Sequence, residues 1–447
     1  MLDLVVLGTG AAAQSVVYPC REAGWSVAVV DYHPFGGTCP LRGCDPKKVL
    51  FGVSDLVDWS RRMQGKGVLA PGLSISWPDL IRFKRTFTDP LPEQTEQSFK
   101  QAGIITRHGR AHFVDRTSVQ VGEEILVGRH VVVVTGACHA DLGIAGEELL
   151  TTSTQFMELD AFPRRIVFVG GGYIAFEFAH IAARAGAQVQ VLHRGSRPLE
   201  KFDPDLVYML VQASRELGIE VQVNRAVTAI ERQGDHLLVH ARTGAQEHTV
   251  EADLVVHAAG RVPEIDKLDL EAAGVAHGKE GVSVNEYLQS VSNPAVYAAG
   301  DAVVGGGFPF TPVAGMQGGI VARNLLEGNR HTPNYTGIPS VVFTTPPLVR
   351  VGLLEEAARA QGLRFTTHHE DTSGWFSSQQ VALRHTGFKT LVEEGTGRIL
   401  GAHLLGPHAE EVINLFALAI RTGLRASDLK QMVYTYPTSA WDVSYMV

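Results

Sequence analysis

Twice in this chain a short apolar run ends in a glycine-rich turn and opens directly into a helix. Residues 3–7 (Asp-Leu-Val-Val-Leu) close on Gly8-Thr9-Gly10, and Ile166–Val169 closes on Gly170-Gly171-Gly172. Such runs read as buried parallel strands, since a strand covered on both faces has no reason to alternate. Ala11 to Ala23 and Tyr173 to Ala185 then read as helices, stopped by Gly24 and Gly186. Second strands at Ser26–Val30 and Gln188–Leu192 complete two strand–helix–strand units. Two such units in one chain of 447 residues amount to an internal duplication at the level of domains.

The first turn, Gly8-Thr9-Gly10-Ala11-Ala12-Ala13, has the spacing G-x-G-x-x-A, and Asp31 follows Gly10 by 21 residues. Each position has a physical task in dinucleotide binding. Gly8 makes the tight turn, Gly10 lets a pyrophosphate approach the backbone, and Ala13 permits close helix–strand packing. The helix N-terminus offers unpaired N–H groups, and Asp31 accepts from a ribose hydroxyl. The second turn repeats the spacing from Gly170 through Gly172 to Ala175.

Elsewhere, Leu80–Ala102 is helical in spacing, Ala111–Val134 is strand-like and closes on Thr135-Gly136, and strands recur at Leu254–His257 and Val296–Ala298. After about residue 335 the texture changes. Phe388–Glu393 and Ile399–Leu405 read as antiparallel strands, and Ala409–Thr422 as an amphipathic helix with Val412, Ile413, Phe416 and Ile420 on one face. The expected fold is α/β, with two Rossmann-like dinucleotide-binding domains followed by an α+β domain. The expected boundaries are 1–140 and 263–334 for the two parts of the first domain, 141–262 for the second, and 335–447 for the last.

Composition narrows the function. Hydrophobic residues make up 45% and charged residues 19%, which suits sizeable cores rather than disorder. Lys+Arg number 39 and Asp+Glu 47, a net charge of −8 with no block of like charge, so neither nucleic acid nor an anionic membrane is an expected partner. No apolar run reaches a membrane span, no basic leader precedes the first strand, and four cysteines do not make a disulfide scaffold. The expected compartment is the cytoplasm.

The most informative stretch runs from Gly36 to Lys48: Gly-Gly-Thr-Cys-Pro-Leu-Arg-Gly-Cys-Asp-Pro-Lys-Lys. Cys39 and Cys44 lie five residues apart. If the segment enters a helix, they are close enough to bridge after modest distortion. A zinc site would need two more ligands from distant segments, and two unrelated buried thiols is the plain alternative. A thiolate near a helix N-terminus and a lysine has a lowered pKa that suits exchange chemistry, so a redox-active dithiol is the reading adopted. Cys20, inside the first helix, and Cys138 read as inert packing residues.

This stretch resembles the pattern G-G-T-C-x-x-x-G-C-x-P-[SK]-K of the flavoprotein disulfide reductases, the group of glutathione reductase, dihydrolipoamide dehydrogenase and mercuric reductase, and the resemblance extends over essentially the whole length. It implies that the first turn, Asp31, Gly37, Thr38 and Lys48 hold FAD, that Cys44 lies against the flavin as the charge-transfer thiolate, and that Cys39 is the interchange thiol facing substrate. The second turn resembles the family's pyridine-nucleotide site, with Tyr173 as the gate of the nicotinamide pocket. Glu177 resembles the glutamate that pairs with a lysine beside the flavin, here Lys47. Val296-Tyr297-Ala298-Ala299-Gly300-Asp301 resembles the second FAD motif, followed by Thr311, Pro312 and Ala314. Thr135-Gly136 and Gly260-Arg261 resemble the family's hinges. The C-terminal domain resembles the dimerisation domain, which implies a homodimer.

The second nucleotide site allows a cofactor argument. The counterpart of Asp31, 21 residues past Gly172, is His193. An acid there would favour NADH. Its absence, with Arg194 and Arg197 nearby, favours the 2′-phosphate of NADPH, although Glu200 replaces the second phosphate-binding arginine of glutathione reductases.

One departure from the family bears on chemistry. Its disulfide reductases carry His-Pro-x-x-x-Glu near the C-terminus as an acid/base unit. Here Tyr436 precedes Pro437 and Trp441 stands at the Glu position. Phenol titrates near 10 and imidazole near 6.5, so Tyr436 could donate a proton but is a poor base at neutral pH. Mercuric reductases also lack that histidine but end in a vicinal cysteine pair, whereas this chain ends Ser444-Tyr445-Met446-Val447. The expected activity is electron transfer from NADPH through FAD and the Cys39–Cys44 pair to a small disulfide or thiol-reactive acceptor. A metal ion or quinone, or a role as a dihydrolipoamide dehydrogenase-like subunit, are the alternatives.

Overall fold

The computed structural model describes residues 1–304 and 308–447, which form two compact units. The first comprises Met1–Lys47, Arg82–Asp141 and Gly260–Asn334, and the second Lys48–Ile81, Leu142–Ala259 and Tyr335–Val447.

In the first unit, strand Leu2–Leu7 lies between Val27–Asp31 and Glu124–Val133, parallel to both, and Ile105–His108 continues the sheet beyond Val27–Asp31. Val296–Ala298 adds a parallel strand beside Val131–Val133. Alternate residues of the first strand face opposite layers. Leu4 and Val6 join a core with Ala13, Val16, Val17 and Ile320, whereas Val5 and Leu7 pack with Phe113, Val119 and Val282. Burial on both faces is the physical reason that the run reads as continuously apolar. Helices Ala11–Glu22 and Thr311–Glu327 cross on one face. Their approach depends on Gly318, where a Cβ would stand 2.3 Å from the Ala12 carbonyl oxygen.

The second unit repeats the parallel pattern, in the order Ile219–Gln222, Gln188–Leu192, Arg165–Val169, Leu254–His257. An antiparallel sheet of three strands lies in the same unit, at Ala226–Gln233, His236–Thr243 and Gln246–Ala252. The C-terminal part is an antiparallel sheet of five strands: Ser340–Val342, Leu348–Gly352, Ile399–Leu405, Gly387–Glu393 and Phe365–Asp371. Helix Ala409–Thr422 buries Val412, Ile413 and Phe416 in a core with Val349, Val351, Phe388 and Leu404, as its spacing predicts.

One expectation needs correction. Leu80–Ala102 is not one helix but two, Trp77–Thr88 and Leu91–Gln101. Pro90, which lacks an N–H and cannot continue the first helix, caps the second. Among the described residues no helix is long and apolar enough to cross a membrane.

Gly318→Ala tests the helix crossing. Helix propensity alone would favour alanine by about 1 kcal/mol, but the clash with the Ala12 carbonyl should outweigh it, with a net loss of about 1–3 kcal/mol. Thermal unfolding reads the sign, and a variant as stable as the parent would show that the two helices can part freely.

Candidate functional site

The two glycine-rich turns have nearly the same backbone. Gly8 has φ +116° and Gly170 φ +118°. A Cβ would meet the carbonyl oxygen of Val134 at 2.4 Å in the first turn and that of Ala258 at 2.2 Å in the second. Gly10 and Gly172 both cap their helices in extended conformation, with ψ −167° and −173°. Ala13 and Ala175, at the third motif position, are fully buried.

Around the first turn, Thr9 Oγ1 donates to Asp31 Oδ2 at 2.7 Å and accepts from the Gly36 N–H at 3.2 Å. Asp31 Oδ1 accepts from the His33 N–H at 2.9 Å. Gly37, at φ +80°, brings its backbone against Gly10, whose Cα a Cβ on Gly37 would approach to 2.4 Å. The turn, Asp31 and the start of the cysteine segment therefore form one bare-backbone cradle.

The cysteines lie on two successive helices, Thr38–Arg42 and Cys44–Arg62, broken at Gly43. A Cβ on Gly43 would come within 2.9 Å of the Thr38 carbonyl oxygen, so glycine is required where the chain folds back. Both sulfurs are reduced thiols. Cys39 lies 3.8 Å from Asp45 Oδ1, and Cys44 the same distance from Thr311 Oγ1. A hydrogen bond with Cys44, and then burial, push the Cys39 thiol well above its usual range. Cys44 is the first residue of its helix, where the backbone dipoles favour negative charge. Cys20 is fully buried, which raises its pKa to about 12 and leaves it inert. Burial raises that of Cys138 too.

Thr135-Gly136 and Gly260-Arg261 meet. Ala137–His139 pairs antiparallel with Arg261–Pro263, and Arg261 donates a side-chain hydrogen bond to the Ala137 carbonyl. Among the described residues, Thr135 Oγ1 and Arg261 Nε are buried without a hydrogen-bond partner. Gly300, at φ +69°, donates to Gln317 Oε1 at 2.7 Å and lies against Ala314 at the start of the helix that Thr311 and Pro312 open. Burial raises the Asp301 carboxyl above its usual range, against the pull of Arg261. Glycine backbone open to close approach, orphaned polar atoms at Thr135 and Arg261, and a buried carboxyl at Asp301 fit a dinucleotide laid along this unit.

In the second unit, Glu177 is 1% exposed, and its Oε1 accepts from the Phe343 N–H at 2.9 Å. One turn on, His180 Nδ1 lies 3.3 Å from the Thr345 N–H, and Arg184 pairs with Asp58. Tyr173 is the first residue of this helix and is partly exposed. Lys47 belongs to the first unit. The ammonium of Lys48 lies 3.9 Å from the ring centroid of Phe343. Arg194 is exposed, and Arg197 donates to the Glu200 carbonyl at 3.0 Å. Tyr436 is exposed, its ring 5.2 Å from that of Trp441. Both line a cavity of about 440 Å³ with Trp375, Phe376, Asp442 and Tyr445.

Several contributors escaped the sequence reading. Thr9 and Arg42 occupy positions the motifs leave open, yet Thr9 fixes Asp31, and Arg42 is half-buried near Asp31, Glu264 and Tyr32. Gln317, Phe343 and Thr345 act through contacts with residues remote in the chain, and carry no local signal.

Comparison with known proteins places these features in context. Residues 2–318 match the family described as pyridine nucleotide-disulphide oxidoreductase, and residues 338–445 its dimerisation domain. The chain is 31% identical to a mercuric reductase of Staphylococcus aureus, over 98% of this chain and 80% of the other. It is 32% identical to a glutathione reductase of Burkholderia cepacia, over 98% and 96%. A solved structure of the HOCl-induced flavoprotein disulfide reductase RclA from Escherichia coli superposes with a TM-score of 0.88 at 26% identity, covering 99% of this chain and 98% of that one.

Thr9→Val removes the hydroxyl that joins Asp31 to Gly36 while keeping its shape. It should cost about 1–3 kcal/mol in denaturant unfolding, because the buried Gly36 N–H and the half-buried Asp31 carboxylate each lose a bond. Thr9→Ser should recover most of that loss, and equal stability of all three proteins would contradict the assignment.

Proposed function

Because this chain belongs to the pyridine nucleotide-disulphide oxidoreductases, enzymes that use FAD and a pyridine nucleotide to act on sulfur groups, we propose that it takes its electrons from NADPH in preference to NADH and passes them through Cys39 and Cys44 to a small disulfide or thiol-reactive acceptor. The observation that carries this reading is the hydrogen-bonded pair of cysteines across the Gly43 break, with Cys44 at a helix N-terminus.

Gly8, Gly10, Ala13, Asp31, Gly37, Thr38, Thr135, Gly136, Gly260, Arg261, Gly300, Asp301, Thr311, Pro312 and Ala314 would hold FAD, all of them within the first unit. Lys48 is assigned to the same cofactor by its motif alone. Bound FAD supplies two-electron redox chemistry. Gly170, Gly172, Tyr173, Arg194 and Arg197 would receive the pyridine nucleotide.

The protein's own redox group is the dithiol. Two electrons and two protons convert the Cys39–Cys44 disulfide into two thiols. Cys39 then gives up its proton and attacks one sulfur of the acceptor disulfide, which releases the first thiol and forms a mixed disulfide. Cys44 attacks the Cys39 sulfur, releases the second thiol and restores the internal disulfide, so two electrons leave with two acceptor thiols. Asp45, within reach of Cys39, is placed to take and return that proton.

The match of residues 338–445 supports a homodimer, and in it the partner subunit's Tyr436 would line the acceptor pocket. A soft metal ion as acceptor is the second reading. It needs no imidazole base, and two observations favour it: Tyr436 at the histidine position, and the structural likeness to a Cu(II) complex of RclA, with a TM-score of 0.89 at 27% identity.

Anaerobic titration of the yellow protein with NADPH tests the dithiol. A long-wavelength band after two electrons per flavin, with four needed for full reduction, is expected. Cys44→Ser should abolish that band and Cys39→Ser should retain it. Bleaching at two electrons without the band would mean that the dithiol is idle. Tyr436→His should raise disulfide turnover, by up to about 100-fold if a missing base is the limit. No change would mean that the pocket sets the rate.

A further inference from the structure

In the C-terminal part of the chain, five aromatic rings and two carboxyls surround one space, and no base lies among them. Trp375, Phe376, Tyr436, Trp441 and Tyr445 line the cavity of about 440 Å³, and Glu370 and Asp442 share its wall. Among the described residues no lysine, arginine or histidine lines it. All of these residues belong to the second unit. Trp375 and Phe376 stand at the start of helix Phe376–Gln379, and Tyr445 lies on the last helix, Val443–Met446, which Asp442 caps.

The rings do not stack flat on one another. Tyr436 meets Trp441 at 5.2 Å and 70°, Trp441 meets Tyr445 at 6.3 Å and 54°, and Trp375 meets Tyr445 at 6.1 Å and 71°. Rings so tilted do not close their faces against each other, and an aromatic face carries negative charge. Phe376, Tyr436 and Tyr445 are exposed. Trp375 Nε1 donates to Glu370 Oε1 at 3.1 Å, a neutral donor that orients the indole and leaves the carboxylate charge unbalanced. Asp442 is half-buried, and burial lifts its carboxyl above the usual range while the Ser377 hydroxyl pulls the other way. Among the described residues neither carboxyl has a cationic partner.

Apolar packing accounts for the rings but not for two unpaired carboxyls beside them. The carboxyls repel an anion. A small hard cation would need more oxygen ligands than the cavity offers, and among the described residues no cluster of His, Cys, Asp and Glu suits a metal ion. An ammonium that carries alkyl groups meets both features, since its apolar surface packs on the rings and its charge is attracted by their faces. We propose that this cavity binds an alkylated ammonium group, and that the acceptor of the dithiol is a disulfide bearing that group. The second clause rests on the reading of Tyr436 as a residue of the acceptor pocket.

Two of the five tryptophans line the cavity, so tryptophan fluorescence of the flavin-loaded protein reads its occupancy. Choline should bind about tenfold more tightly than 3,3-dimethyl-1-butanol, its uncharged carbon isostere, the scale of one or two cation–π contacts. Tyr445→Leu and Asp442→Asn should each weaken choline by several-fold, and Tyr445→Phe, which keeps the ring, should not. Equal affinity for the two probes, or saturable binding of neither, would overturn the site. Turnover with NADPH then compares three symmetrical disulfides whose ends are trimethylammonium, hydroxyl and carboxylate. Their kcat/KM should fall in that order, chiefly through KM, and Asp442→Asn should narrow the gap between the first two. Choline binding with equal kcat/KM for the three would overturn the assignment to the acceptor and leave the cation site standing. Turnover of none of them, with choline still bound, would overturn the disulfide as acceptor and again leave the cation site.

Discussion

Two of the sheets in this protein, those that hold Leu2–Leu7 and Arg165–Val169, end against glycines that have no room for a side chain. At Gly8 and Gly170 the chain leaves a buried strand, turns with positive φ, and runs so close to the end of a neighbouring strand that a Cβ would stand 2.4 Å and 2.2 Å from the carbonyl oxygens of Val134 and Ala258. That contact fixes where the helix begins, and so where its unpaired N–H groups point. It fixes the distance to the second strand, whose next residue or last residue is His193 in one unit and Asp31 in the other. A Cβ at either glycine would force the strand ends apart and displace the start of the helix.

In the first unit, one conformational requirement leads to the next. Gly37 approaches Gly10 because both lack side chains, and this brings the cysteine segment to the mouth of the first turn. Gly43 then lets the chain fold back, so that Cys39 and Cys44, on different helices, lie within hydrogen-bonding reach of each other. The asymmetry between the two sulfurs has a plain cause. Cys39 is half-buried and hydrogen-bonded, whereas Cys44 opens a helix of 19 residues. In the second unit the burial of Glu177 is made tolerable by the Phe343 N–H, which comes from the C-terminal part of the chain.

Motif positions were legible in the sequence because they are local. Strand, turn, helix and the interval to Asp31 are all set within about 30 residues, and the Gly36–Lys48 stretch needs no distant partner to be read. The helix over Leu80–Ala102 was misread because the apolar period continues across Pro90, and only the missing N–H divides it. Thr9 was overlooked for the opposite reason. Its task is a side-chain hydrogen bond that the motif neither requires nor forbids.

The sequence by itself determined the class of fold, the family resemblance, the candidate dithiol and the absence of an acid at position 193, because each depends on spacing along the chain or on the identity of one residue. Only the tertiary structure decided which groups complete the sites. The Gln317 bond to Gly300, the meeting of Thr135-Gly136 with Gly260-Arg261, and the contact of His193 with the Arg197 carbonyl all depend on where a carbonyl or an amide points once the chain has folded. Hydrogen bonds are directional and short, so no pattern of residue types can place them until the backbone that carries them is in position.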